Sequence, residues 1–311
     1  MLKRKAKRKI FITTFVLLIL LSIYLIPSNI TSNKSRNIVK YSKPMDISIY
    51  LVNESSQLTK VNFKVKNEDL NTTIKDIINK LTIGGDSTVP DGLYGLIPKN
   101  IELIDVNVDE NIAYLNFSKG FLDIDHQEIE KIVESISFSI LELEGVNGVV
   151  IYVEGDNISR LFPKNIPDII TKEYGINKRI ELKNFIDISK IVIYYISNID
   201  DNTYYVPITK YVNDKREKVK IIIDELSSNY IFEPNLISLL DKNIELISYE
   251  IKNDSMILNF NNSIFMDKDS ILEEVVYSIS YSVFSSYDNV QEVVFKVGEK
   301  EICKKNVKNV E

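Results

Sequence analysis

The residues able to do chemistry are few. His126, the chain's single histidine, sits in the run DIDHQEIE with Asp123, Asp125 and Glu128. That mixture could hold a metal or move a proton. It reads better as a solvated helix start, where carboxylates favour the positive end of the helix dipole. Ser135, Ser137 and Ser139 alternate in SISFSI. No Gly-x-Ser-x-Gly elbow surrounds them and no base partners them, so they read as small residues at a helix contact and not as nucleophiles. Gly84-Gly85, Gly92 and Gly95 lack the Gly-Lys-Ser/Thr of a phosphate loop. Glu102 and Glu245 recur in otherwise apolar strands and are expected on an exposed face. Cys303 is the only cysteine, which excludes an internal disulfide and, with a single histidine, leaves a Cys/His zinc site nearly without ligands. No catalytic residue, cofactor site or metal site is assigned, and an enzyme is not expected.

Binding chemistry is better represented. The chain has 17 tyrosines, dense at Tyr194-Tyr195 and Tyr204-Tyr205. Tyrosine suits contacts because its ring buries area while its hydroxyl stays paired. These four residues form the candidate interaction surface.

The 311-residue chain has a net charge of −6, which hides an asymmetry. Residues 1–45 carry ten Lys or Arg and no Asp or Glu, leaving −16 on the remainder. So acidic a body is a poor ligand for nucleic acid. Residues 1–9 form a basic head with six Lys or Arg. Residues 10–26 (IFITTFVLLILLSIYLI) follow without a charge. As a helix they would span ~26 Å, enough with their flanks to cross a bilayer. The bases ahead of them would keep the N-terminus cytoplasmic. Pro27 ends the run, and the sites after it match an export cleavage poorly. An uncleaved transmembrane anchor is therefore expected, with a removed signal segment as the alternative. Residues 27–46 read as a tether.

The rest repeats itself. KNIELI occurs at residues 99–104 and at 242–247, an offset of 143. Residues 99–117 and 242–260 share nine of 19 positions, and residues 128–140 and 271–283 share six of 13. GVVIYV at 148–153 faces EVVFKV at 292–297. Three matches in one order mean two copies of one unit, residues 47–156 and 187–299. A connector of residues 157–186, apolar enough to pack in part, joins them, and residues 300–311 read as a charged tail.

Each unit carries the same elements. A strand (47–52, 191–196) precedes a possible second one (61–65, 204–208). A helix follows, marked by Ile74, Ile77, Ile78 and Leu81 in one copy and Val219, Ile222, Ile223 and Leu226 in the other. Asn213 or Asp214 could cap the latter. A hairpin turns at residues 109–111 and again at 252–254. Residues 129–143 alternate like a strand in part, yet place six apolar residues on one helical stripe, which predicts a helix. Asp125 with Glu128, and Ser270 with Glu273, have capping-box spacing. A last strand closes the unit. The order β-α-β-β-α-β predicts an α+β fold: after the N-terminal transmembrane helix, two units, each a small, mostly antiparallel sheet with helices on one face.

The first unit resembles the GerM domain family of sporulation and spore-germination proteins. The resemblance rests on ISIYLV at 47–52, the helix and glycine pair at 74–85, and above all GLIPKNIELIDVNVDENIAYLNFSKGF at 95–121. The helix EIEKIVESISFSILEL and the strand VVIYVEG complete it. The second unit is a divergent copy that lacks the glycine pair. The resemblance implies a non-enzymatic, extracytoplasmic protein that helps to assemble a membrane complex in sporulation or germination. Its partners would be the membrane, through residues 10–26, and proteins of that complex, with self-association as a further option through open strand edges. The rival readings are a cell-surface module binding peptidoglycan or another ligand, which predicts a pocket with convergent polar groups in one unit only, and a surface hydrolase, for which no constellation assembles.

Overall fold

The computed structural model describes residues 45–66, 68–162, 166–228, 231, 233–267 and 269–307, together with Lys9, Phe11, residues 13–18 and Leu21. The last group is helical and exposed. The basic residues 1–8, the tether up to residue 44 and the remainder of the 10–26 run lie outside the described residues. No helix among the described residues is long and apolar enough to cross a membrane, so the expected transmembrane helix has no support here. Residues 43–311 form one compact unit, described below by itself.

The first repeat opens with strands β1 (Met45–Asn53) and β2 (Leu58–Val65), an antiparallel hairpin. Its turn is pinned by paired amides: Asn53 donates to Gln57 Oε1, and the Gln57 N–H donates to Asn53 Oδ1. Helix α1 (Leu70–Leu81) starts at Asp69, whose carboxylate accepts the Thr72 N–H at 3.1 Å. Its buried stripe is Ile74, Ile77, Ile78 and Leu81. Strand β3 (Leu93–Tyr94) pairs with the end of β1. Gly95 must be glycine, because a Cβ there would lie 2.4 Å from the Leu81 carbonyl oxygen. Strands β4 (Leu103–Asp109) and β5 (Ile112–Phe117) form the expected hairpin, with Glu110 and Asn111 at positive φ in its turn. Helix α2 (Ile129–Leu141) leads to β6 (Gly148–Val153), which pairs parallel to β5, and to β7 (Asp156–Asn157). A one-turn helix, α3 (Ile158–Leu161), begins the connector, and β8 (Arg179–Glu181) ends it. The connector is anchored by Ile158, Phe162, Ile166, Ile170 and Ile176, all buried.

The second repeat gives β9 (Ile188–Ile199), β10 (Asn202–Asn213), α4 (Lys218–Ser227), β11 (Leu246–Lys252), β12 (Ser255–Phe260), α5 (Glu273–Ser286), β13 (Glu292–Val297) and β14 (Lys300–Asn306). Residues 300–306, expected as a tail, form a strand against β13. The reason is apolar: Cys303 packs on the second core and burial raises its thiol pKa.

Two expectations need correction. Each repeat holds one sheet of its own and contributes strands to a second, shared one, instead of forming a single sheet with helices on one face. Strands β4–β7 and β11–β14 form four-stranded mixed sheets, while the opening hairpins join in a separate six-stranded sheet shared by both repeats. The helices touch strands of both kinds of sheet. The capping boxes do not form either. Asp125 Oδ1 instead accepts the Gln127 N–H ahead of the helix, and neither α2 nor α5 has a side-chain cap. Asp214 likewise holds the Arg216 N–H, and α4 starts after Glu217 with no side-chain cap.

Candidate functional site

The joint between the repeats concentrates the molecule's buried polar groups. Its backbone seam is one strand long. Strand β10 pairs with β9 along its whole length. Its opposite edge meets β2 at Tyr205 and Lys60, then continues with the connector. Ile176 and Thr209 exchange backbone N–H···O (3.0 Å) and N–H···Oγ1 (2.9 Å) bonds, and β8 runs parallel alongside residues 210–212. Asn177 bridges the gap where β2 departs. Its amide donates to the carbonyls of Leu58 and Pro207, both at 2.8 Å, and accepts the Leu58 N–H at 2.9 Å. One side chain thereby stands in for a peptide unit between the two repeats.

Charge is buried beside this seam. Lys60 Nζ lies 2.9 Å from Glu142 Oε2, with the lysine side chain 4% exposed and the carboxylate 21%. Tyr50 donates to the other carboxylate oxygen at 3.2 Å. Burial pushes the Glu142 carboxyl up, but the ammonium of Lys60 and its hydrogen bond outweigh this and hold it below the usual range. Burial alone would lower Lys60, yet Glu142 raises it. The ammonium also faces the ring of Tyr281, 4.9 Å from its centroid. Tyr205, Tyr277 and Tyr281 stack in sequence at 3.7 and 4.0 Å, and Tyr194 lies 5.7 Å from Tyr281.

This geometry corrects the tyrosine surface. Tyr194 and Tyr195 are both buried. They point to opposite faces of β9, as successive strand residues must. Tyr194 enters the ring cluster, while Tyr195 enters the second core and reaches Glu225 at 3.5 Å. Tyr205 stacks at the joint, and Tyr204 packs on the first core. Tyr194 and Tyr205 thus join the ring cluster at the joint, Tyr204 meets the first core and Tyr195 faces its own repeat's core, so the four do not form one outward surface.

Lys60, Glu142, Asn177, Tyr277 and Tyr281 escaped sequence reading. A usable signal existed in the i, i+4 spacing of Tyr277 and Tyr281 on one helix face. Glu134 escaped as well. It is 4% exposed, accepts the Asn177 N–H at 2.8 Å and pairs with Lys178 at 3.1 Å. Burial pushes its pKa up to about 6 against the pull of Lys178.

The remaining residues fall where their types suggest. The serines of α2 and α5 sit along the edge strands β1 and β9. Ser139 accepts the Tyr50 N–H at 2.9 Å and Ser135 donates to the Tyr50 carbonyl at 2.8 Å. In the second repeat Ser282 and Ser286 accept the N–H groups of Tyr194 and Val192, each at 2.9 Å. The hydroxyls thus occupy part of the β1 and β9 edges, while β4 and β7, and β11 and β14, lie at the ends of their sheets. Ser137 is buried with no hydrogen-bond partner. His126 is exposed, its ring 5.5 Å from that of Phe162. Glu102 and Glu245 are exposed. Among the described residues, no group of three His, Cys, Asp or Glu could hold a metal.

Comparison with known proteins places this architecture. The family model Germane, described as sporulation and spore germination, matches residues 48–159 and 192–303. The spore germination protein GerM of Bacillus subtilis (strain 168) is 26% identical over 245 residues, 74% of this chain and 65% of that protein. The match thus spans just under two thirds of that relative's length. The solved tandem GerMN domains of the sporulation protein GerM from Bacillus subtilis superpose with a TM-score of 0.75 at 22% identity, covering 83% of this chain and 92% of that one. The last likeness shows the tandem fold. With the family model matching most of the chain in two copies, this protein belongs to the Germane family of sporulation and spore germination.

Proposed function

We propose that the chain is a membrane-tethered, extracytoplasmic scaffold that stabilises a protein complex during sporulation or spore germination. The observation that supports this most is the joint. Two copies of a sporulation-family domain share one sheet, a buried ion pair and a stack of tyrosines. A body with a fixed relation between its halves suits a part that sets the spacing of others, which is what assembly of a complex needs. Residues 10–26 would hold it to the membrane, with the N-terminus cytoplasmic and the two repeats outside. Its partners would be proteins of the complex, and its role would be non-enzymatic.

The test is a cross-linked pull-down of the full chain from sporulating cells of its own host, with protease accessibility of protoplasts as the topological control. Recovery of integral or peripheral membrane proteins at one defined stage is expected. Recovery of none, or full protection of the repeats from external protease, contradicts the reading.

A further inference from the structure

The outer face of the first repeat's four-stranded sheet carries a depression of about 240 Å³ lined by Asp105, Tyr114, Asn116, Tyr152 and Gly155, with Leu115. Strand alternation explains the placement. Val106, Leu115 and Val153 turn into the core, so their neighbours Asp105, Tyr114, Asn116 and Tyr152 turn outward. Register brings them together: Asp105 pairs with Asn116 across β4–β5, and Asn116 with Tyr152 across β5–β6. The Gly155 N–H donates to Asn116 Oδ1 at 3.0 Å. That bond fixes the amide and leaves its –NH2 as the free end. Among the described residues, the Asp105 carboxylate, the Asn116 –NH2 and the two tyrosine hydroxyls have no partner within the chain.

The second repeat supplies an internal comparison. At the same registers it has Ser248 for Asp105, Ile257 for Tyr114, Asn259 for Asn116 and Lys296 for Tyr152. The buried positions beneath are kept, with Leu115 matching Leu258 and Phe117 matching Phe260, all fully buried. The fold therefore does not need two tyrosines and a carboxylate on this face.

The geometry points to a binding site for a neutral saccharide in the first repeat alone. A free carboxylate asks for a donor and a free amide –NH2 asks for an acceptor, and a hydroxyl is both. A cationic ligand would leave the amide unanswered. An anionic one would meet Asp105 with no base in the lining. Two tyrosine rings on adjacent strands offer flat apolar surface for the C–H face of a sugar ring, with their hydroxyls at the rim. This inference stands apart from the scaffold reading, and neither depends on the other.

The test is binding of the full chain, held in a non-glycosidic detergent, to a panel of neutral tetrasaccharides of glucose and of N-acetylglucosamine. Choline and polygalacturonate serve as the cationic and anionic comparisons. Isothermal titration calorimetry reads the binding directly, because the site holds only two of the chain's 17 tyrosines and their fluorescence would be masked by the rest. At least one neutral member should bind. Tyr152→Lys, which installs the second repeat's residue, and Asp105→Ala should each weaken it about tenfold or more, while Ile257→Ala should change nothing. Circular dichroism confirms that the variants fold. No neutral member binding at millimolar concentration, tighter binding of choline or polygalacturonate, or unchanged affinity in Tyr152→Lys overturns the proposal.

Discussion

Replacing Glu142 by Gln isolates the joint's buried charge. The substitution keeps size and the acceptor for the Tyr50 hydroxyl but removes the carboxylate 2.9 Å from Lys60. Lys60 keeps only the Tyr281 ring, and its side chain is 4% exposed, so water cannot replace the lost partner. Breaking a buried pair by removing one member costs ~3–5 kcal/mol. Glu142 retains 21% exposure, which places the expected loss nearer the lower end, about 3 kcal/mol. For a body of this size that is a fall in Tm of about 6–12 °C. Urea denaturation of wild type, Glu142→Gln, Lys60→Met and the double variant Lys60→Met/Glu142→Gln closes a cycle. The double variant should recover most of the loss, because neither charge is left buried without its partner and the glutamine still accepts the Tyr50 hydroxyl. A coupling energy above about 1.5 kcal/mol is expected. Losses that simply add, with coupling below about 0.5 kcal/mol, would refute the claim that this pair matters at the joint.

Glu134 gives a pH prediction. Its folded pKa, about 6, lies above its ordinary 4.5, so the protonated form favours the fold. That contribution is complete below pH 4.5 and is lost as pH rises through 6, a change of about 2 kcal/mol. The stability of wild type relative to Glu134→Gln should therefore fall by about that amount between pH 4.5 and 7, measured by denaturation at each pH. Glu142 works in the opposite sense: its lowered pKa adds stability above the ordinary value that is lost on acidification. Ser139→Ala should cost ~1–2 kcal/mol by stranding the Tyr50 N–H, with faster hydrogen exchange at Tyr50, and Ser282→Ala should do the same at Tyr194. Asn177→Ala removes three hydrogen bonds between connector, β2 and β10. It should split a single calorimetric transition into two, or broaden it.

The repeat, the order of elements and the buried helix stripes were legible in the sequence, because each is a local or periodic property. Ile74, Ile77, Ile78 and Leu81 announce their face by spacing alone. The sharing of one sheet by both repeats was not legible. It depends on β2 meeting β10 across about 145 residues of chain, with a single backbone pairing at Lys60 and Tyr205. Nothing local marks a strand that will find its neighbour in another copy. The tyrosines were noticed for the right chemistry and assigned the wrong side, since burial cannot be read from residue type when polar rings fill a joint. Asn177 was invisible for a related reason: its role lies in two backbone carbonyls, and these leave no trace in sequence.

The central claim, a role in spore formation or germination, is tested most directly by deleting the gene in its own host and counting heat-resistant, germination-competent spores. A fall of at least about tenfold, restored by the full chain and not by a chain lacking either repeat, is the predicted result. Normal counts in the deletion strain would contradict the account.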